Sequence, residues 1–135
     1  MIKKTLVSEE GLEKALKVSW CRDTSSDPDN WSLEKPAWGQ CAVTSLIVND
    51  YLGGDIVWAL AKLPDGSEIS HYFNKVYDEE KDFTRIQFSE GTIIPKGVPK
   101  TKQFSTTRDY IISYSATFER YKLLKEKVDK ILSKK

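Results

Sequence analysis

The stretch from Pro36 to Gly54 constrains this chain more than any other. Pro36 and Gly39 mark a loop. Gln40 to Leu52 then run without glycine or proline, and Leu46, Ile47, Val48, Tyr51 and Leu52 recur at turn spacing as one apolar face. Gly53-Gly54 supplies the stop, because glycine takes the left-handed conformation that closes a helix. An apolar segment follows at once. The chain must therefore deliver a loop, a buried helix and a strand in quick succession. Cys41 falls in the first turn of that helix, where free N–H groups and the helix dipole favour a thiolate, the form that attacks. The plain alternative is a cysteine that serves as a small buried hydrophobe.

A chain of 135 residues fits one domain, residues 1–135, and buries a core without staples. A net charge of +1 gives no global field for nucleic acid or an anionic membrane, so neither partner is expected. The lysines of the last turns alternate with Glu119, Glu126 and Asp129, which reads as a solvated helix face. No apolar run approaches the roughly 20 residues of a membrane span. The opening Met1–Val7 lacks the apolar core and cleavage site of a signal peptide. The expectation is a cytoplasmic protein whose Cys21 and Cys41 are thiols. Two cysteines and one histidine, with no CxxC or HxxxH spacing, predict no metal and no cofactor.

Ser8 caps a helix that opens with Glu9 and Glu10, buries Leu12 and Leu16 and ends near Ser19. Trp20 to Lys35 is a polar connection long enough to be functional, though Trp20 and Trp31 can equally plug the core from it. Asp55–Leu63 and Glu68–Tyr77 read as strands around the turn Pro64-Asp65-Gly66-Ser67. Asp78–Lys81 reads as a turn and Asp82–Phe88 as a third strand, with a bulge where Phe83, Ile86 and Phe88 break parity. Glu90–Thr107 is a loop, either lid or slack. Arg108–Ser113 fits a short helix or a strand. Thr117–Ser133 carries a helical apolar stripe. The layout is α+β, with helices segregated from an antiparallel meander.

His71, the one histidine, sits in the second strand. A thiol nucleophile needs a base within hydrogen-bond reach, and histidine is tuned for that near neutral pH. The base needs an acceptor that fixes its tautomer. Asp82 or Asn74 can serve. With the turn centred near Asp78, Asp82 falls opposite Asn74, about 10 Å along the sheet from His71. Contact then requires strong twist or a bulge. An oxyanion hole would draw on the Cys41 N–H and on the side chain of Gln40 or Asn30, with Trp31 and Trp38 walling the cleft.

Gly39-Gln40-Cys41 before a helix, His71 on a strand and Asp82-Phe83-Thr84 after it resemble the Cys-His-Asp order of papain-like and transglutaminase-like folds. A closer resemblance is to the YunG family of small bacterial proteins. Trp20-Cys21, Thr24-Ser25, Trp31-Ser32, Pro36, Gly39 to Asp50, Gly53 to Ile56, Ser70 to Asn74, Asp82 to Arg85 and Gln87-Phe88 carry it, with weaker likeness at Arg120-Tyr121. The wider resemblance implies a helix bearing Cys41 packed on a small antiparallel sheet. It implies a hydrolase or acyltransferase with Cys41 as nucleophile, His71 as base and Asp82 as orienter, acting on a small-molecule or peptide acyl substrate through a thioester. The alternatives are a non-catalytic binding module on the same fold and a thiol redox sensor built on Cys21 and Cys41.

Overall fold

The computed structural model describes residues 7–133. Those residues form α1 (Glu9–Ser19), α2 (Cys41–Leu52), β1 (Asp55–Lys62), β2 (Glu68–Val76), β3 (Glu79–Lys81), α3 (Thr107–Ile112) and α4 (Ser115–Leu132). Short 3-10 turns lie at Arg22–Thr24, Pro28–Asn30 and Arg85–Gln87. The architecture is α+β, with four helices and a three-stranded antiparallel sheet of order β1-β2-β3 among the described residues.

α1 begins where the Ser8 hydroxyl accepts the Gly11 N–H at 2.9 Å, with Glu9 and Glu10 in its first turn. Its stripe of Leu12, Ala15 and Leu16 enters the main core beside Leu46, Ile47 and Val48 of α2 and Leu124 and Val128 of α4. α2 is buried around most of its circumference, so its polar groups are paired inside the protein. The Thr44 hydroxyl takes the Trp20 indole N–H at 2.9 Å, and the Ser45 carbonyl takes the Asn74 amide at 3.0 Å. Gly53 ends the helix at φ +77°, its N–H returning to the Asn49 carbonyl. Asp50, Arg108 and Tyr121 tie α2 to α3 and α4. Arg108 meets the Asp50 carboxylate at 2.8 Å and the Tyr121 hydroxyl at 3.1 Å.

The second hairpin departs from the sequence expectation. Tyr77 and Asp78, at φ +53° and +65°, make a two-residue turn of the type that matches strand twist. β3 therefore starts at Glu79, inside the segment read as turn, and ends at Lys81. The proposed third strand over Asp82–Phe88 is instead a turn that runs into a 3-10 turn at Arg85–Gln87, and no bulge is involved. The alternation there was misleading because its apolar residues do not share a face. Phe83 is buried in the main core, whereas Ile86 is largely exposed. The Arg108–Ser113 segment resolves as helix α3, capped by the Thr106 hydroxyl.

Residues 90–107 are neither slack nor free of the sheet. Ile93 and Val98 bridge to Lys62 and Trp58 on the outer edge of β1, and the Gly97 N–H donates to Glu80 at 2.8 Å. Pairing of this kind covers an edge that would otherwise expose unpaired backbone. Among the described residues no helix is long and apolar enough to cross a membrane.

Candidate active site at the head of α2

The loop before α2 is built to hold one backbone path. Gly39 takes φ +74°, and a Cβ there would lie 2.3 Å from the Ser25 hydroxyl oxygen. Only glycine fits both the conformation and the space. The Gly39 carbonyl accepts the Ser26 N–H, and its own N–H donates to Gln87 at 3.3 Å. Gln40 is fully buried. Its amide donates to the Cys21 carbonyl at 3.0 Å and its oxygen accepts the Thr24 hydroxyl at 2.8 Å. Ser25 reaches the Trp38 carbonyl, Trp38 the Asp27 carboxylate, and Trp31 the Pro36 carbonyl. The long connection is thus laced to itself and to the helix start, and Cys41 emerges from a fixed frame. No side chain caps this end of α2, whose first-turn N–H groups lack intrahelical partners.

His71 and Asp82 meet. The His71 Nε2 lies 2.7 Å from Asp82 Oδ2, and the imidazole is fully buried. The early turn explains the contact. Asn74 pairs with Lys81, so Asp82 sits one residue nearer His71 than the sequence expectation placed it. The chain also leaves the sheet after Lys81. Asp82 is then free of the ladder and reaches the ring. Asn74 has another role, because its amide holds the Ser45 carbonyl of α2.

The imidazole is stacked on Phe73 at 5.4 Å between ring centres and meets Phe88 edge-on at 4.9 Å. Burial in that aromatic setting pulls its pKa down. The hydrogen bond with Asp82, the adjacent Cys41 thiol and the charges of both outweigh burial and push it up to about 9. Nε2 is taken by Asp82, and Nδ1 is buried without a hydrogen bond of good geometry. That nitrogen is the one left for Cys41, which is half-buried and not in a disulfide. Cys41, His71 and Asp82 thus lie close together, although they come from a helix start, mid-strand and the stretch just past β3.

The remaining candidates lie differently. The donors of Gln40 are turned to Cys21, and Asn30 is exposed and donates to Asp27 at 2.9 Å. Trp31 and Trp38 are half-buried within the connecting loop. The Cys41 side carries groups that motif reasoning did not single out. Tyr72 has its phenol pushed up by burial and by the negative charge of Tyr110, Cys41 and Tyr114. Arg120 of α4 lies within charge range of Cys41. The family-like pair Arg120-Tyr121 was the one signal for that residue. Gln87, which anchors Gly39, was likewise visible only in the Gln87-Phe88 likeness. No group of three or more His, Cys, Asp or Glu able to hold a metal occurs among the described residues.

Comparison with known proteins bears on this arrangement. A family described as YunG protein matches residues 8–133. The chain is 33% identical over 94 residues to the protein titled "Uncharacterized protein YunG" of Bacillus subtilis (strain 168), covering 70% of this chain and 74% of that one. No solved structure matches. The family match takes in Cys41, His71, Asp82 and Arg120, and the chain belongs to the YunG family.

Proposed function

We propose that this protein is a cysteine-dependent acyl hydrolase or acyltransferase, papain-like in the order and roles of its residues, working on a small-molecule or peptide substrate in a cytoplasmic setting that keeps thiols reduced. One observation carries the reading. A fully buried histidine is bound to a carboxylate at 2.7 Å on one side and influenced by a half-buried thiol on the other. Burial alone would expel charge from such a place, so a structural role gains nothing from joining three titratable groups there.

In the proposed cycle His71 rests protonated at neutral pH and stands beside the Cys41 sulfur as an imidazolium. The thiolate attacks the carbonyl carbon, a C–S bond forms, and the carbonyl electron pair moves to oxygen. The oxyanion is met by the Cys41 N–H at the head of α2. Collapse expels the leaving amine or alcohol, which takes the proton from His71 and leaves a thioester. Water, or an acceptor nucleophile, then loses a proton to His71, attacks the thioester and breaks the C–S bond. Asp82 holds the ring in the required tautomer throughout. With Gln40 turned to Cys21, a second oxyanion donor is best sought among the first-turn N–H groups of α2.

The test is turnover of a panel of activated esters, thioesters and anilides. Cys41→Ala should abolish turnover and leave the fold unchanged by circular dichroism. Activity that persists in that variant sinks the mechanism. A binding module on the same fold is the competing reading. It is favoured by two surface clefts, one between Val18 and Ile131 and one between Asn49 and Arg108, which are lined by neither Cys41 nor His71. It predicts no turnover and a Cys41 that stays inert in the folded chain.

A further inference from the structure

We propose that Arg120 is the substrate-anion-binding residue of the Cys41 site, and that the acyl substrate therefore carries an oxyanion, a carboxylate or a phosphate, beside its reacting carbonyl. The inference rests on the reading of Cys41, His71 and Asp82 as a thiol site, and it names what that site accepts.

Arg120 stands in the second turn of the long helix α4, which packs on α2. Arg108 of α3 is paired with Asp50 at 2.8 Å, and Lys122 of α4 is paired with Glu119 at 3.2 Å. Among the described residues Arg120 has no ion pair. Its one hydrogen bond runs from Nη2 to the Thr117 hydroxyl at 3.1 Å, and its Nε is buried with no partner. A guanidinium carries five donors in a planar fork that fits a carboxylate or phosphate face-on. Leaving a buried donor of a charged group unpaired is costly, and native structures seldom do so without a ligand or a functional reason. Burial pulls the arginine pKa down, and the negative charge of Cys41 opposes that pull, which puts the two groups in one electrostatic field.

Charge of the opposite sign is already spent. Asp82, the carboxylate of the site, is bound to His71. A negatively charged substrate group would therefore meet the Arg120 guanidinium with no carboxylate already bound to it, beside a Cys41 thiolate whose charge the His71 imidazolium offsets. An arginine placed so would do more than attract. Pairing with the substrate anion fixes the distance from anion to carbonyl, which aligns the carbonyl carbon with the sulfur.

The probe is alkylation of Cys41 by iodoacetate, which bears a carboxylate, against neutral iodoacetamide, read by mass spectrometry. In both reactions the sulfur displaces iodide from the CH2 carbon, so only the charge differs. The ratio of iodoacetate to iodoacetamide rates should fall about tenfold or more in Arg120→Gln, as expected for loss of a charge-assisted hydrogen bond. Arg120→Lys should recover part of the ratio. In the unsubstituted protein succinate or inorganic phosphate should slow alkylation by iodoacetamide, and which of the two protects assigns carboxylate or phosphate. An unchanged ratio in a folded Arg120→Gln protein overturns the proposal. If that variant does not fold, protection decides, and failure of both anions to protect overturns it. A Cys41 that reacts with neither reagent in the folded chain overturns the thiol site itself, a result distinct from a reactive Cys41 indifferent to charge.

Discussion

At the scale of single residues His71 is the pivot. Its ring is fully buried, and burial alone would hold it neutral. The bond with Asp82 and the neighbouring Cys41 reverse that, raising the pKa from 6.5 to about 9. The folded protein thus binds the proton more tightly than the unfolded chain. The resulting stabilisation is complete below about pH 6.5 and is lost as pH rises through about 9. A gap of that size is worth on the order of 3 kcal/mol. Urea unfolding between pH 6 and 10 should show the native chain losing stability across that window while His71→Phe loses far less. Parallel slopes in the two proteins would contradict the assignment. Asp82→Asn removes the carboxylate, the largest influence holding the proton on, and should bring the imidazole pKa down by more than about one unit when followed by NMR.

At the scale of elements the loop ahead of α2 decides whether the residue chemistry is possible at all. It contains no long regular structure, yet Gln40, Thr24, Ser25, Trp38 and Gln87 fix its path. Gly39→Ala meets a positive φ and the Ser25 hydroxyl together, and should destabilise by about 1–3 kcal/mol. It should also slow any reaction of Cys41, because the helix start moves. Thermal unfolding and alkylation rate check the two effects separately; no change in either would show that the loop is pliant. Much of this element was legible in sequence, since Gly39, Gln40 and the Gly53 stop carry local signals that the helix obeys. The third strand was not. Apolar and polar residues that alternate up to Phe88, with Phe83 out of phase, imitate a bulged strand, and the early Tyr77-Asp78 turn, at positive φ angles, sets a ladder that ends at Lys81. The same turn removes the distance problem between Asp82 and His71. Local propensity misplaced the element, and a tertiary constraint produced the contact.

At the scale of the whole molecule the sheet and the helices converge on one end of α2. α4 closes the main core with Leu124 and Val128 and brings Arg120 toward Cys41, while the 93–98 strap covers the β1 edge. Beyond the weak Arg120-Tyr121 likeness, no motif gives a reason to weigh Arg120, because its proposed role lies in the lack of a carboxylate partner, which a sequence does not record. Cys41 and His71 could be singled out as candidates because a helix start and a lone strand histidine are local features. The central claim is that these groups make Cys41 a nucleophile. It is tested most directly by alkylating the folded protein with iodoacetamide at pH 7 and following Cys41 and Cys21 separately by mass spectrometry, with His71→Ala alongside. The account predicts that Cys41 reacts well ahead of Cys21 and that the histidine variant loses the difference. A Cys41 that stays silent until the protein is unfolded would contradict it and return the residue to the core.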